Sequence, residues 1–122
     1  MLDRVVAAVR QFLGLGPTGP AARRTAQRYT LAVFDDRSQA SEAARRSGVA
    51  ALVRSGTAHK WFICTCPCGC EQQIALNLMG SHSPRWRVHV KSAQSFSVHP
   101  SVISTTCGAH FWLRNGGVAW CD

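Results

Sequence analysis

The chain has 122 residues, a net charge of +8 and a sequence pI near 10.0. This length suits one domain with a modest core, and a hydrophobic content of 46% with four tryptophans excludes a disordered chain. Residues 1–60 carry ten Lys/Arg against four acidic residues, whereas residues 61–122 carry four against two, so the basic excess lies mostly outside the cysteine-rich half.

The first predicted unit, residues 1–25, is an amphipathic helix followed by a Gly/Pro linker. Apolar residues recur at helical spacing over 2–13, and glycines and prolines then interrupt the chain. Polar residues break up any secretory leader, and no run approaches the roughly 20 apolar residues of a membrane span. We therefore expect a cytoplasmic protein with reduced thiols and no membrane span.

The second predicted unit, residues 26–122, is an α+β zinc-binding domain. It begins with a strand over 28–34 and a helix over about 39–47, capped by Asp36 or Ser38, while residues 49–54 are compatible with helix or strand. Alternating residues then predict strands at 60–65, 72–79, 85–91, 95–98, 110–114 and 117–121. The expected fold is a small single domain of the α+β class, with a β-rich antiparallel C-terminal half stabilised by one zinc site.

The metal prediction depends on two clusters of soft ligands. Cys66, Cys68 and Cys70 lie in the run CPCGC, and Cys107 and His110 form a second half-site with two residues between them. Thiolates and imidazoles in two separated half-sites are the ligands of tetrahedral zinc. Three cysteines compete for two places beside Cys107 and His110, so the individual ligands of the first half stay open.

Other interpretations of these residues remain. An iron–sulfur cluster is the alternative cofactor to Zn²⁺. Cys64 alternates with apolar residues on a strand and is expected in the core, whereas Cys121 ends the last strand and is a further candidate ligand. A metal- or thiol-dependent enzyme is open, but Glu71 is the only acidic residue directly beside the cluster, so we favour a non-catalytic protein.

From Trp61 to Asp122 the sequence resembles a small bacterial family defined by CPCGC and CxxHFW motifs. The matching stretches are CPCGC at 66–70, an apolar strand at 74–78, Pro84 to Trp86, PSVI at 100–103, and 107–116 with its HFWLRNG ending. The resemblance implies a metal-binding domain. Members are often encoded beside ubiquitin-like modifiers, E1- and E2-like enzymes and JAB-type peptidases, in operons linked to phage defence.

The expected function is that of an accessory protein with a structural zinc ion. The resemblance implies a protein-interaction module of a bacterial ubiquitin-like conjugation and antiphage system, with a ubiquitin-like, E1-like or E2-like partner. The alternative is a zinc-ribbon-like protein that binds nucleic acid through its basic N-terminal half. Its candidate contacts are the arginines at 23, 24, 28, 45, 46 and 54.

Overall fold

A computed structural model describes residues 27–121, so the predicted N-terminal helix and linker lie outside the described residues. The described chain contains eight strands and one short helix. In chain order these are β1 (Thr30–Phe34), α1 (Arg37–Ala43), β2 (Val49–Ser55), β3 (Ala58–Thr65), β4 (Gln73–Asn77), β5 (Arg87–Ser92), β6 (Ser95–Ile103), β7 (His110–Arg114) and β8 (Gly117–Trp120).

The strands form two four-stranded sheets. The first sheet has the order β1-β2-β3-β4 and the second β5-β6-β7-β8. Only β1 and β2 pair in parallel, because α1 lies between them in the chain, and every other pair in the two sheets is antiparallel.

The main core lies between the two sheets. Leu52 and Phe62 from the first sheet and Phe96, Val98 and Phe111 from the second are all at most 1% exposed and belong to one cluster. The rings of Phe62 and Phe96 meet across the sheets with centroids 5.9 Å apart. Burial of these side chains is the main term that holds the sheets face to face.

Helix α1 covers the opposite face of the first sheet. Ala40 packs with Ala51, Val53 and Ile63 in a second, smaller cluster. Because β2 is therefore covered on both faces, its residues from 50 to 53 are buried without the alternation of a half-exposed strand. This explains why residues 49–54 did not distinguish helix from strand in the sequence.

The prediction of an α+β fold is wrong. Residues 27–121 are mostly β, with two sheets in which antiparallel pairs predominate and a helix of only seven residues. Asp36 caps this helix by accepting a hydrogen bond from the Gln39 amide at 2.9 Å. It is one of the two residues predicted as the cap. The helix nevertheless ends at Ala43, and the next segment becomes a strand of the first sheet.

None of the helices in the described part of the chain is long and apolar enough to cross a membrane.

Candidate functional site

The loop between β3 and β4, residues 66–72, carries the CPCGC cysteines. The Cys66 amide donates to the Gln72 carbonyl at 2.8 Å, which closes the loop at its base. Gly69 and Glu71 adopt positive φ angles of 95° and 66°, so the chain turns tightly inside the loop. This turn places the side chains of three cysteines on a short piece of backbone.

The loop between β6 and β7, residues 104–109, supplies the fourth cysteine. The Ser104 amide donates to the Ala109 carbonyl, and the Gly108 amide donates to the Ser104 carbonyl, both at 2.8 Å. Gly108 has a φ of 78°, which completes this turn. Since this loop belongs to the second sheet and the CPCGC loop to the first, the two half-sites come from different layers of the fold.

The two loops bring Cys66, Cys68, Cys70 and Cys107 together. Their ligand atoms all lie within 4.8 Å of one another. The Sγ atoms of Cys66 and Cys68 are 3.6 Å and 3.5 Å from that of Cys107. Sulfurs that bind one zinc ion tetrahedrally at about 2.3 Å are about 3.8 Å apart, so these residues fit a single thiolate-bound metal ion.

The cysteines differ in exposure and in acidity. Burial raises the pKa of the Cys66 and Cys68 thiols. The hydrogen bond with the Ser104 side chain, with further contributions from the Ala109 backbone and the Cys68 and Cys66 side chains, lowers the pKa of the exposed Cys107 to about 6. The thiolate is the form that binds metal, and Cys107 ionises more readily than Cys66 and Cys68.

His110 is not in the cysteine group found among the described residues. It is the first residue of β7, and its Nε2 atom lies 2.9 Å from Oγ of Ser101 on β6. Both side chains are partly buried. A histidine at this distance can accept the hydroxyl proton of a serine, which is the first requirement of serine nucleophilic catalysis. That His110 is a zinc ligand stays a prediction.

Ser101 lies in an irregular part of β6. Val98 pairs with Leu113 and Val102 pairs with Phe111, so β6 uses four residues where β7 uses two. The extra residues bulge out of the ladder, as often happens where a strand must aim a side chain at a site. The indole nitrogen of Trp86 donates to the Ser101 carbonyl at 3.2 Å and so fixes the backbone at this point.

The two remaining cysteines lie outside the group of four. Cys64 is 1% exposed in the main core, where burial raises its thiol pKa to about 12. Its predicted core position is confirmed. Cys121 is half-buried, and its amide donates to the His110 carbonyl at 2.9 Å.

The basic residues give no support to a nucleic-acid interface. The guanidinium of Arg28 donates to the Asn115 carbonyl at 2.6 Å and to the Gln94 carbonyl at 3.3 Å, so it joins two turns of the second sheet. Arg45 lies 3.8 Å from Glu42 in a surface ion pair. Residues 23 and 24 lie outside the described residues.

Fold and site together define a small β protein with a four-cysteine cluster of metal-binding geometry and a hydrogen-bonded Ser–His pair. Residues 35–121, more than half of the chain, match the model of a family described as "Bacterial ubiquitination-like system serine protease (BubE)", and the chain belongs to this family. Comparisons with curated proteins and with solved structures gave no match.

Family membership confirms the association with a bacterial ubiquitination-like system that the motif resemblance implied. The grouping by CPCGC and CxxHFW motifs and the neighbouring genes stay predictions. The family description names a serine protease, whereas the sequence analysis favoured a non-catalytic protein. The sequence did not single out Ser101 as a candidate, and its only signal was its place in the PSVI stretch that accompanies CxxHFW.

Proposed function

We propose that this protein is a serine peptidase that cleaves a protein of a bacterial ubiquitination-like system. Ser101 is the nucleophile and His110 its general base. The observation that carries the proposal is the 2.9 Å contact between Ser101 Oγ and His110 Nε2. The family description, which names a serine protease, supports it independently.

In the proposed reaction, Ser101 Oγ attacks the carbonyl carbon of the scissile peptide bond while His110 Nε2 takes the hydroxyl proton. The protonated imidazole then donates that proton to the leaving amine, and the peptide bond breaks to give an ester on Ser101. A water molecule, deprotonated by His110, hydrolyses the ester and returns Ser101 to its starting form. The sum is hydrolysis of one peptide bond by one water.

We propose that Cys66, Cys68, Cys70 and Cys107 hold one zinc ion with a structural role. Sulfur–sulfur distances of 3.5 Å and 3.6 Å suit ligands of a single ion. Bound zinc would supply folding energy by joining a loop of each sheet. The alternative cofactor, an iron–sulfur cluster, predicts iron and visible absorption in the purified protein, whereas a colourless protein with one equivalent of zinc supports the proposal.

The proposed partners are the ubiquitin-like, E1-like and E2-like proteins of the same system, and the proposed compartment is the cytoplasm. Free cysteines at all six positions support a reducing compartment. A role in antiphage defence rests on the motif resemblance and stays a prediction.

The second candidate function is a non-catalytic interaction module for the same partners. It is favoured by one observation: among the described residues, no carboxylate is hydrogen-bonded to the His110 ring, so the third member of a triad is missing from residues 27–121. This candidate predicts binding of a component without cleavage.

The test is incubation of the metal-loaded protein with the ubiquitin-like, E1-like and E2-like components, followed by intact mass spectrometry. We expect one component to lose a defined segment. Ser101→Ala should slow cleavage by about 10³-fold or more, because the hydroxyl is the attacking group. The matched control is Ser81→Ala, which removes another Ser–His contact, the exposed 3.0 Å contact of Ser81 with His82.

Cleavage that survives in Ser101→Ala at the wild-type rate would refute the proposed nucleophile. Stable binding of a component with no cleavage by any variant would favour the interaction module.

A further inference from the structure

A cleft of about 450 Å³ is lined in part by residues that neighbour Ser101 and His110 along their strands. Its lining residues are Arg85, Arg87, His99, Pro100 and Trp112. Pro100 immediately precedes Ser101 on β6, and Trp112 lies two residues beyond His110 on β7. A substrate whose scissile bond reaches Ser101 therefore places a neighbouring side chain at this cleft.

The lining of the cleft is positively charged. Arg85 and Arg87 are both exposed, and no Asp or Glu occurs among residues 72–121, which include the whole lining. Within the described residues, no hydrogen bond or ion pair engages the Arg87 guanidinium. An open pocket lined by cationic groups and by no acidic residue attracts an anion.

The walls of the cleft are held in place. Arg85 Nε donates to the Leu78 carbonyl at 3.3 Å, which anchors this side chain to the backbone at the end of the first sheet. The Trp112 ring packs against His99 at 6.1 Å between centroids, and the Arg114 guanidinium lies 4.6 Å from the Trp112 ring centroid. A fixed aromatic wall beside guanidinium groups suits a side chain with an apolar stem and a carboxylate end.

We infer that this cleft is a specificity pocket for an acidic side chain of the substrate peptide, next to the bond that Ser101 attacks. The inference rests on the proposed peptidase function and adds the chemistry of the substrate. The carboxylate of a Glu or Asp side chain pairs with Arg87 and Arg85, while its methylene groups contact Trp112 and Pro100. Guanidinium–carboxylate pairs of this kind are frequently bidentate and charge-assisted.

The first experiment measures cleavage of a synthetic decapeptide library by the full-length protein. We expect acidic residues to be enriched at one position near the cleaved bond. In the best substrate, replacing that Glu by Gln should lower kcat/KM about tenfold in the wild type. In Arg87→Gln this preference for Glu over Gln should shrink, and in the double variant Arg85→Gln with Arg87→Gln the two peptides should be cleaved equally. The matched control is Arg46→Gln, an exposed arginine in the turn after α1, which should keep the preference.

The second experiment measures binding without catalysis. Full-length Ser101→Ala labelled with ¹⁵N is titrated with the blocked peptide acetyl-AAAAEAAAA-amide, and the Trp112 indole signal is assigned with a Trp112→Phe variant. We expect a saturable shift with this peptide and none with its Gln analogue. A Gln peptide with a free C-terminus serves as a third arm.

The outcomes separate the two proposals. If no cleavage depends on Ser101 but the Glu peptide shifts Trp112, the peptidase proposal fails and the anion pocket stands. The specificity-pocket proposal is overturned if cleavage depends on Ser101 but shows no preference for acidic residues. It is also overturned if such a preference exists and Arg87→Gln does not alter it. A shift seen only with the free C-terminus also overturns it, because the bound group is then a terminal carboxylate.

Discussion

His110 is the residue whose observed contacts differ most from those that its sequence spacing suggests. The spacing of Cys107 and His110 is that of a zinc half-site, and sequence spacing alone suggested that both bind one ion. In the structure, Cys107 lies in a loop and His110 begins a strand, so their side chains are positioned by different backbone geometry. The imidazole meets the Ser101 hydroxyl, and a third CPCGC cysteine completes the sulfur group in its place.

Substitution of His110 distinguishes a zinc ligand from a proposed general base. His110→Gln should leave the zinc content of the purified protein at one equivalent, because four sulfurs already satisfy a tetrahedral ion. Cys107→Ser should lower the zinc content to well below one equivalent, since it removes the only ligand contributed by the second sheet. Elemental analysis of both variants beside the wild type checks this. Loss of zinc in His110→Gln would instead identify His110 as a ligand.

Sequence reasoning located the cysteines better than it located the serine. Cysteines that could bind one metal ion must lie close together, and the close spacing of those in CPCGC can be read from the sequence alone. Ser101 and His110 are nine positions apart, and their contact depends on a bulge in β6 whose register is a tertiary property. Chain alternation cannot predict where a strand takes up two extra residues, so the pair is recognised only in three dimensions.

Among the elements, β7 and β8 match the strands predicted at 110–114 and 117–121, and the two form a hairpin. Asn115 and Gly116 have φ angles of 51° and 80°, the left-handed conformations that an Asn-Gly turn requires. The Gly116 amide donates to the Phe96 carbonyl, and the Gly116 carbonyl accepts from the Tyr29 amide, both at 2.8 Å. The turn therefore joins three segments of the chain.

Gly116→Ala should be strongly destabilising. A Cβ at this position would overlap the Gln94 carbonyl oxygen, and the positive φ adds about 1–2 kcal/mol for any side chain. We expect a total loss of about 3 kcal/mol or more in the free energy of unfolding, measured by urea denaturation. The matched control is Gly56→Ala, which has a φ of 61° but open space around it, and should lose only about 1 kcal/mol. Equal losses in the two variants would contradict the proposed overlap.

The fold class was predicted incorrectly for a reason that also lies at this scale. Short buried strands and helices share apolar runs, and β2 is covered by α1 on one face and by the second sheet on the other. The strands from β3 onward are covered less evenly, and alternation located each of them, but the strand predicted at 95–98 continues to Ile103. The strand positions followed from local pattern, whereas the parallel pairing of β1 with β2 followed from the crossover through α1.

In the whole molecule, the cysteine cluster lies between a loop of each sheet, where a bound metal ion would join the two sheets. Three of its cysteines come from the β3–β4 loop and the fourth from the β6–β7 loop, which leads directly into His110. The apolar core between the sheets supplies the remaining connection. Metal binding and positioning of the Ser–His pair are therefore expected to be linked through one short loop.

Removal of the metal should lower the thermal stability of the intact protein. A ligand present at about 1,000 times its Kd stabilises the folded state by about 4 kcal/mol, so stripping zinc with a chelator should lower Tm by about 15 °C or more. Calorimetry with and without the chelator measures this shift. As a control, Cys68→Ser with Cys70→Ser should have the lower Tm from the start and no further response. An unchanged Tm after verified zinc loss would contradict the structural role of the metal.

We propose Ser101, activated by His110, as a catalytic nucleophile. The most direct measurement is reaction of the metal-loaded protein with a fluorophosphonate probe, followed by peptide mapping of the labelled site. We expect one label on Ser101, which is absent from Ser101→Ala, forms much more slowly in His110→Gln and is unchanged in Ser81→Ala. Failure of Ser101 to react, or labelling that does not depend on His110, would contradict the proposal.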